Sequence, residues 1–187
     1  MRLVAGRFKG RVLAAPEGST TRPTADRVRE SLFNILAHGE PELRGARVAD
    51  VFAGSGALGL EALSRGAAHV TFFESAHGAQ AVIAANLKKL GCEGEATLVR
   101  QDAAKPPKAA APCQFLLLDP PYKSGLATPA LQALAAQGWI APDARIVVEV
   151  AAAEDFASPL PGFSVVDVRK YGAAKLAFLV PEENATL

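Results

Sequence analysis

The stretch from Phe115 to Tyr122 ends a buried-strand pattern with groups that suit the binding of an amine. Four apolar residues run without alternation up to Leu118, as in a strand buried on both faces of a parallel sheet. Asp119 and two prolines follow, and because proline has a fixed φ and no N–H, the chain must leave the strand in a stiff corner. The Asp119 carboxylate, the Pro120 carbonyl and the Tyr122 ring then meet where parallel sheets bind ligands. The simpler alternative is a proline turn in which Asp119 only forms the turn and Tyr122 only packs.

A second candidate site lies upstream, where Asp50 to Gly59 closes one predicted strand and opens a helix. Gly54 and Gly56 permit a tight turn and close backbone approach to a ligand at a helix N-terminus. Together with Gly59 they match the G-x-G-x-x-G pattern of dinucleotide sites. Asp50, however, precedes the glycines, where a carboxylate would repel a pyrophosphate but would attract a cationic amino-acid group, directly or through water.

Two further acids follow the next strands and narrow the choice of ligand. Glu74 ends the second strand and is placed to accept from both hydroxyls of a ribose, and Asp102 follows the third and is placed to accept from an adenine amine. Three carboxylates on successive strand ends match the ammonium, sulfonium, ribose and adenine of S-adenosylmethionine. A nicotinamide oxidoreductase remains the alternative, although a second nucleotide-binding half is lacking. The predicted cofactor-binding residues are Asp50, Phe52, Gly54, Ser55, Gly56, Gly59, Glu74, Asp102 and Asp119.

Length and composition indicate one globular domain. The chain has 187 residues, of which 50% are hydrophobic and 21% charged, enough to form a proper core. No apolar run approaches the roughly 20 residues of a membrane span, and no signal segment follows Met1. Cys92 and Cys113 lack metal-ligand spacing, and the three histidines form no ligand pattern. We therefore expect a cytoplasmic protein with neither a metal nor a membrane partner.

Charge is distributed unevenly along the chain. Residues 1–29 hold seven basic and two acidic residues, a net charge of +5, which leaves −4 for the rest. This predicts a basic N-terminal arm, residues 1–23, on a catalytic domain of residues 24–187, and a polyanionic partner. An ordinary solvated basic segment is the alternative. The candidate contacts to nucleic acid are Arg7, Lys9, Arg11, Arg22 and Arg27.

Periodicity predicts the elements that position both sites. Residues 3–14 suggest a small hairpin, and a helix follows from an N-cap at Thr24 to about Ala37. Strands and helices then alternate, and two final strands form an antiparallel hairpin around Tyr171 and Gly172. The predicted fold is α/β and Rossmann-like, a mostly parallel seven-stranded sheet with a C-terminal antiparallel hairpin, preceded by the N-terminal hairpin and helix.

A set of motifs is spread over almost the whole sequence: Gly6, Lys9 to Arg11, Arg22–Asn34, Phe52–Gly66, Glu74, Asn86-Leu87, Asp119–Tyr122 and Tyr171-Gly172. In these motifs the sequence resembles the bacterial 16S ribosomal RNA guanine-N2 methyltransferases, which have the class I methyltransferase fold. The glycine loop is shared by many methyltransferases, and its combination with the segment Arg22–Asn34 is more specific. Family members often carry an acid two residues after Glu74, where this chain has Ala76.

The resemblance implies methyl transfer from S-adenosylmethionine to the N2 amine of a guanine in 16S rRNA of the 30S subunit. Asp119 and the Pro120 carbonyl would accept the two amine hydrogens, and Tyr122 would stack on the base. Alternatives that share the acid-Pro-Pro-aromatic motif are amino-methyltransferases acting on DNA adenine or protein glutamine. A non-enzymatic alternative is an RNA-binding module with a vestigial cofactor site.

Overall fold

The computed structural model of the protein describes residues 1–16 and 23–184. Two short 3-10 helices, Glu93–Glu95 and Glu182–Asn184, accompany the main elements. The strands are β1 (Arg47–Val51), β2 (His69–Phe73), β3 (Ala96–Val99), β4 (Cys113–Leu118), β5 (Ile140–Ala151), β6 (Phe163–Tyr171) and β7 (Ala174–Pro181). The helices are α1 (Pro23–Leu36), α2 (Ala57–Ser64), α3 (His77–Leu90) and α4 (Ala127–Ala136).

All seven strands form a single sheet in the order β3-β2-β1-β4-β5-β7-β6. The first five strands pair in parallel, and β7 runs antiparallel to both β5 and β6. This confirms the predicted sheet with its C-terminal hairpin. The direction of winding changes between β1 and β4, which is where open α/β sheets leave a crevice beyond the carboxyl ends of their strands.

Strand β5 begins earlier than the sequence predicts. The apolar pattern indicates a strand from Arg145, whereas β5 starts at Ile140, which pairs with Cys113. The register shifts before Phe115 pairs with Arg145. Pro142 lies in this irregular part, where a proline in a strand is tolerated. Because proline is rare in strands, its presence argues against a strand in the sequence, and the predicted strand therefore began too late.

The core lies on both faces of the sheet, as the apolar run of β4 predicts. Phe115 and Leu117 belong to a buried cluster that includes residues of α1, α2 and α3. Leu116 and Leu118 belong to a second cluster, with α4 and Trp139. Neighbouring residues of β4 therefore pack on opposite faces, which fixes the strand and the corner that follows it.

The N-terminal arm packs against the body. It forms one antiparallel bridge, between Arg2 and Val12, rather than two strands. The buried Glu61 carboxylate of α2 accepts hydrogen bonds from the N–H groups of Val4 and Ala5, at 2.9 and 3.0 Å. Gly6 lies so close to α2 that a Cβ there would be 1.8 Å from a backbone oxygen of that helix, so no other residue fits.

The first helix begins at Pro23, one residue before the predicted cap at Thr24. Proline is favoured in the first turn because its missing N–H would have no partner there and its φ is already helical. In the described part of the chain, no helix is long and apolar enough to cross a membrane.

Candidate active site

The corner after β4 is built as the sequence predicts. The Asp119 N–H donates to the Val51 carbonyl at 3.2 Å, which keeps the end of β4 beside the end of β1. Asp119 is exposed and lines a cleft, together with the buried Pro120. Tyr122 is 54% exposed, and its O–H donates to Glu149 Oε1 at 2.7 Å.

The glycine loop after β1 turns through left-handed conformations. Gly54 and Gly56 have φ values of 56° and 78°, which favour glycine. Phe52 has a φ of 62°, a backbone conformation that residues other than glycine rarely adopt. The Gly54 N–H donates to Glu74 Oε2 at 2.8 Å, so the carboxylate at the end of β2 holds the loop.

Gly56 and Gly59 are not among the residues that line the cleft. A Cβ on Gly59 would lie 2.4 Å from Phe72 Cε1 and 2.7 Å from Val70 Cγ1. This glycine therefore permits α2 to pack closely on β2, and its N–H donates to Asp50 Oδ2 at 2.8 Å. Gly56 and Gly59 therefore permit the turn into α2 and its packing on β2, and they do not form the wall of the cleft.

Asp50 is a buried carboxylate at the inner end of the cleft, with 1% of its surface exposed. Burial raises the pKa of Asp50 from 3.8 to about 8. The hydrogen bond from Gly59 lowers this pKa, whereas the negative charges of Asp119 and Glu74 raise it. A carboxylate in this position gains from a cationic ligand, because a positive charge would offset its lost hydration.

Glu74 and Asp102 also line the cleft. Glu74 uses its second oxygen, Oε1, to accept from the Ala76 N–H at 2.8 Å, and Asp102 Oδ1 accepts from the Ala104 N–H at 2.9 Å. An ionised carboxylate has about four acceptor sites, so both retain capacity for a ligand. Ala76 stands at the position where the family resemblance leads us to expect another acid, and its N–H orients Glu74.

These groups open into one cleft of about 1050 Å³ at the carboxyl ends of β1, β2 and β4. Ligand pockets commonly measure about 300–1,000 Å³, so this cleft is larger than a single small ligand requires. The cleft brings together most of the residues that the sequence predicts for cofactor and acceptor: Asp50, Phe52, Gly54, Ser55, Glu74, Asp102, Asp119, Pro120 and Tyr122.

Glu149 of β5 is a cleft residue that the sequence analysis did not select. Leu118 pairs with Val148, so Asp119 and Glu149 are the next residues in that register. The protein atoms around the Asp119 carboxylate partly desolvate it and raise its pKa to about 7, although the residue is exposed to the solvent of the cleft. The negative charge of Glu149 adds to the effect. A lone acid in the apolar run Ile146 to Val150 was the available signal.

The arm and α1 also reach the cleft. Met1, Val28 and Arg29 line it, and the Ser55 hydroxyl donates to Met1 Sδ at 3.6 Å. Arg29 is 4% exposed, and its Nη2 donates to the Arg2 carbonyl at 2.6 Å and to Asp26 Oδ1 at 3.1 Å.

Three of the predicted RNA contacts lie away from the cleft. Arg7 forms an ion pair with Glu95, Arg11 Nη2 donates to the Lys89 carbonyl at 3.0 Å, and Lys9 is exposed. This part of the arm packs at the C-terminal end of α2, while the glycine loop precedes its N-terminus.

The remaining two predicted RNA contacts differ. Arg27 is exposed on α1, next to the cleft residue Val28. Arg22 lies outside the described residues. Across 1–16 and 23–184, no group of three or more His, Cys, Asp or Glu residues is arranged to hold a metal ion.

Comparison with known proteins decides the family. The family model described as Conserved hypothetical protein 95 matches residues 1–180. The chain is similar to ribosomal RNA small subunit methyltransferase D of Escherichia coli K12, with 41% identity over 150 residues that cover 80% of this chain and 74% of the relative. The chain belongs to this methyltransferase family.

Further comparisons agree with the family and the fold. The Haemophilus influenzae small subunit methyltransferase D is 39% identical over 153 residues, covering 80% of this chain and 78% of the relative. The solved structure of Escherichia coli yhhF, a provisionally named methyltransferase, superimposes with a TM-score of 0.82 and 35% identity. That match covers 97% of this chain and 98% of yhhF, which confirms the class I methyltransferase fold.

Proposed function

We propose that this protein transfers a methyl group from S-adenosylmethionine to the N2 amine of a guanine in 16S rRNA, within the 30S subunit. One observation carries the proposal: the Asp119–Tyr122 corner lines the same cleft as the glycine loop at Gly54 and the carboxylates of Asp50 and Glu74. Membership of the family supports methyl transfer to small-subunit rRNA. The choice of guanine N2 rests on the family resemblance and on the acceptor geometry at Asp119.

The residues at the glycine loop fit S-adenosylmethionine. The buried Asp50 suits the cationic end of the cofactor, Glu74 suits the ribose hydroxyls, and Asp102 suits the adenine amine. Phe52, Gly54 and Ser55 would supply the wall and backbone of the cradle. When bound, the cofactor supplies an electrophilic methyl group on a leaving group that departs as a neutral thioether.

Asp119, Pro120 and Tyr122 would act on the acceptor. The carboxylate and the proline carbonyl accept the two amine hydrogens, which orients the nitrogen lone pair away from the ring system. The exposed Tyr122 ring provides a surface on which the base stacks. In enzymes, positioning of this kind lowers the activation free energy by several kcal/mol, up to about 7–11 kcal/mol.

The nitrogen must lose one proton after it gains the methyl group, and we assign the acceptance of this proton to Asp119. Desolvation by the surrounding protein raises the pKa of Asp119 to about 7, so the carboxylate is basic enough to bind a proton near neutral pH. The target base must leave its stack to enter the cleft, which favours a loop or an open particle as the substrate.

The proposal is tested by label transfer. Labelled S-adenosylmethionine is offered with three substrates: 30S subunits from cells that lack the corresponding methyltransferase, protein-free 16S rRNA, and duplex DNA. We expect incorporation into the rRNA of the subunits, with less into protein-free rRNA, and loss of incorporation in Asp119→Ala. Label in DNA or in ribosomal protein would contradict the RNA assignment, and absence of label in every substrate would favour a non-enzymatic module. Equal rates on subunit and free rRNA would remove only the preference for the particle.

A further inference from the structure

A second carboxylate lies beside the proposed acceptor site. Glu149 follows Val148, whose partner Leu118 precedes Asp119, so the two acids end neighbouring parallel strands. Glu149 is half-buried and lines the same cleft. Among residues 1–16 and 23–184, no Lys, Arg or His forms an ion pair with it. A carboxylate without a protein cation in a ligand cleft is placed to accept a hydrogen bond from the ligand.

Tyr122 orients this carboxylate. Its O–H donates to Glu149 Oε1 at 2.7 Å, which ties the acceptor to the ring on which the base is proposed to stack. A carboxylate has about four acceptor sites, so this bond leaves room for an N–H donor from the base. One side of the cleft thus combines the Tyr122 ring and Asp119, from the corner after β4, with Glu149 of β5.

The order of groups on guanine matches that arrangement. The N2 amine and the ring N1–H are neighbours on one edge, so an acceptor beside Asp119 meets N1–H when Asp119 binds the amine. We propose that Glu149 selects guanine by accepting its N1–H, and rejects a base whose corresponding ring nitrogen carries a lone pair. This inference rests on the proposed N2 reaction and names the residue that determines its base specificity.

The chemical reason is that a carboxylate is an acceptor only. Facing the lone pair of an unprotonated ring nitrogen, it gains no hydrogen bond and experiences repulsion. Sites built to bind a substrate N–H discriminate by about 10⁴–10⁵-fold in the strongest cases. Since Glu149 is half-buried and open to water, we expect about 100-fold.

The test uses 2-aminopurine, which keeps the amine at C2 but has a lone pair at N1. The substrates are 30S subunits reconstituted with 16S rRNA that carries either guanine or 2-aminopurine at the methylated position. We expect the wild-type kcat/KM to be about 100-fold lower with 2-aminopurine. In Glu149→Gln the side-chain amide can donate to N1, so the ratio of 2-aminopurine to guanine activity should rise at least tenfold.

Tyr122→Phe is the matched control, because it keeps the ring and removes the hydroxyl that holds Glu149. If Glu149 served only to fix Tyr122, both variants would lower the two activities alike and the substrate ratio would not move. S-adenosylmethionine affinity, measured by calorimetry, checks that each variant is folded.

The outcomes separate this inference from the function on which it rests. Wild-type protein that methylates guanine N2 and 2-aminopurine equally well would overturn the role of Glu149 and leave the proposed function intact. Failure of wild-type protein to form N2-methylguanine in the unmodified subunit would overturn both. An unchanged substrate ratio in a folded Glu149→Gln protein would also refute the role of Glu149.

Discussion

Replacing Asp50 by Asn should stabilise the protein and impair cofactor binding. The amide has the shape of the carboxylate, and its oxygen can still accept the Gly59 N–H that Asp50 Oδ2 now accepts at 2.8 Å. What disappears is a negative charge in a site with 1% exposure. The variant therefore isolates the free energy of burying that charge.

The magnitude follows from the pKa of Asp50, which burial raises from 3.8 to about 8. Because the folded pKa lies above the unfolded one, the charge has no effect on stability below pH 4, and its penalty grows until about pH 8. A shift of about four pKa units corresponds to about 6 kcal/mol at 1.36 kcal/mol per unit. Water that enters the open cleft reduces this, so we expect Asp50→Asn to stabilise the protein by about 2–3 kcal/mol at pH 8.

Urea unfolding without cofactor, from pH 4 to pH 9, measures the effect. The stability of the wild type should fall relative to that of Asp50→Asn as the pH rises from 4 to 8, and the two should agree near pH 4. Asp155→Asn, at an exposed aspartate, is the control and should follow the wild type. Calorimetry should show at least a tenfold loss of S-adenosylmethionine affinity in Asp50→Asn. Parallel stability curves for the wild type and Asp50→Asn would refute the assignment of a buried, charge-seeking carboxylate.

Three further predictions test the other assignments. Asp119→Ala should nearly abolish single-turnover transfer and change cofactor affinity only a few-fold, whereas Glu74→Ala should weaken cofactor binding by about 1–3 kcal/mol; the reverse pattern would contradict the roles. Lys9→Ala and Arg27→Ala should each flatten the log–log salt dependence of RNA binding by about 0.7 without a change in Tm, and a slope that stays the same would show that these cations do not meet phosphates. Asn86→Ala should lower the free energy of unfolding by about 1–3 kcal/mol, because it leaves backbone groups of the arm and the glycine loop without their hydrogen bonds; a loss below about 0.5 kcal/mol would contradict that link.

Features set by local sequence could be predicted. The run Phe115 to Leu118 is buried on both faces because its composition leaves no polar face, and the prolines after Asp119 fix the corner. The glycine loop follows similarly, since glycine adopts the left-handed conformation at Gly54 and Gly56 without steric strain.

Features set by contacts between distant residues could not be predicted. Glu149 reaches the cleft only because β4 and β5 pair in a register that places it beside Asp119. The arm packs on the body through Glu61, which is 57 residues from Val4, and no periodicity records that contact. The same packing moves Arg7 and Arg11 away from the cleft, although their charge alone predicts RNA contacts.

Mass analysis of a single nucleoside tests the central claim most directly. 30S subunits that lack the modification are incubated with the protein and S-adenosylmethionine, and the 16S rRNA is digested to nucleosides. The account predicts one new product, N2-methylguanosine, in an amount that approaches one per subunit and that is absent with Asp119→Ala. A product of N6-methyladenosine, or methylated protein with unmodified rRNA, would contradict it.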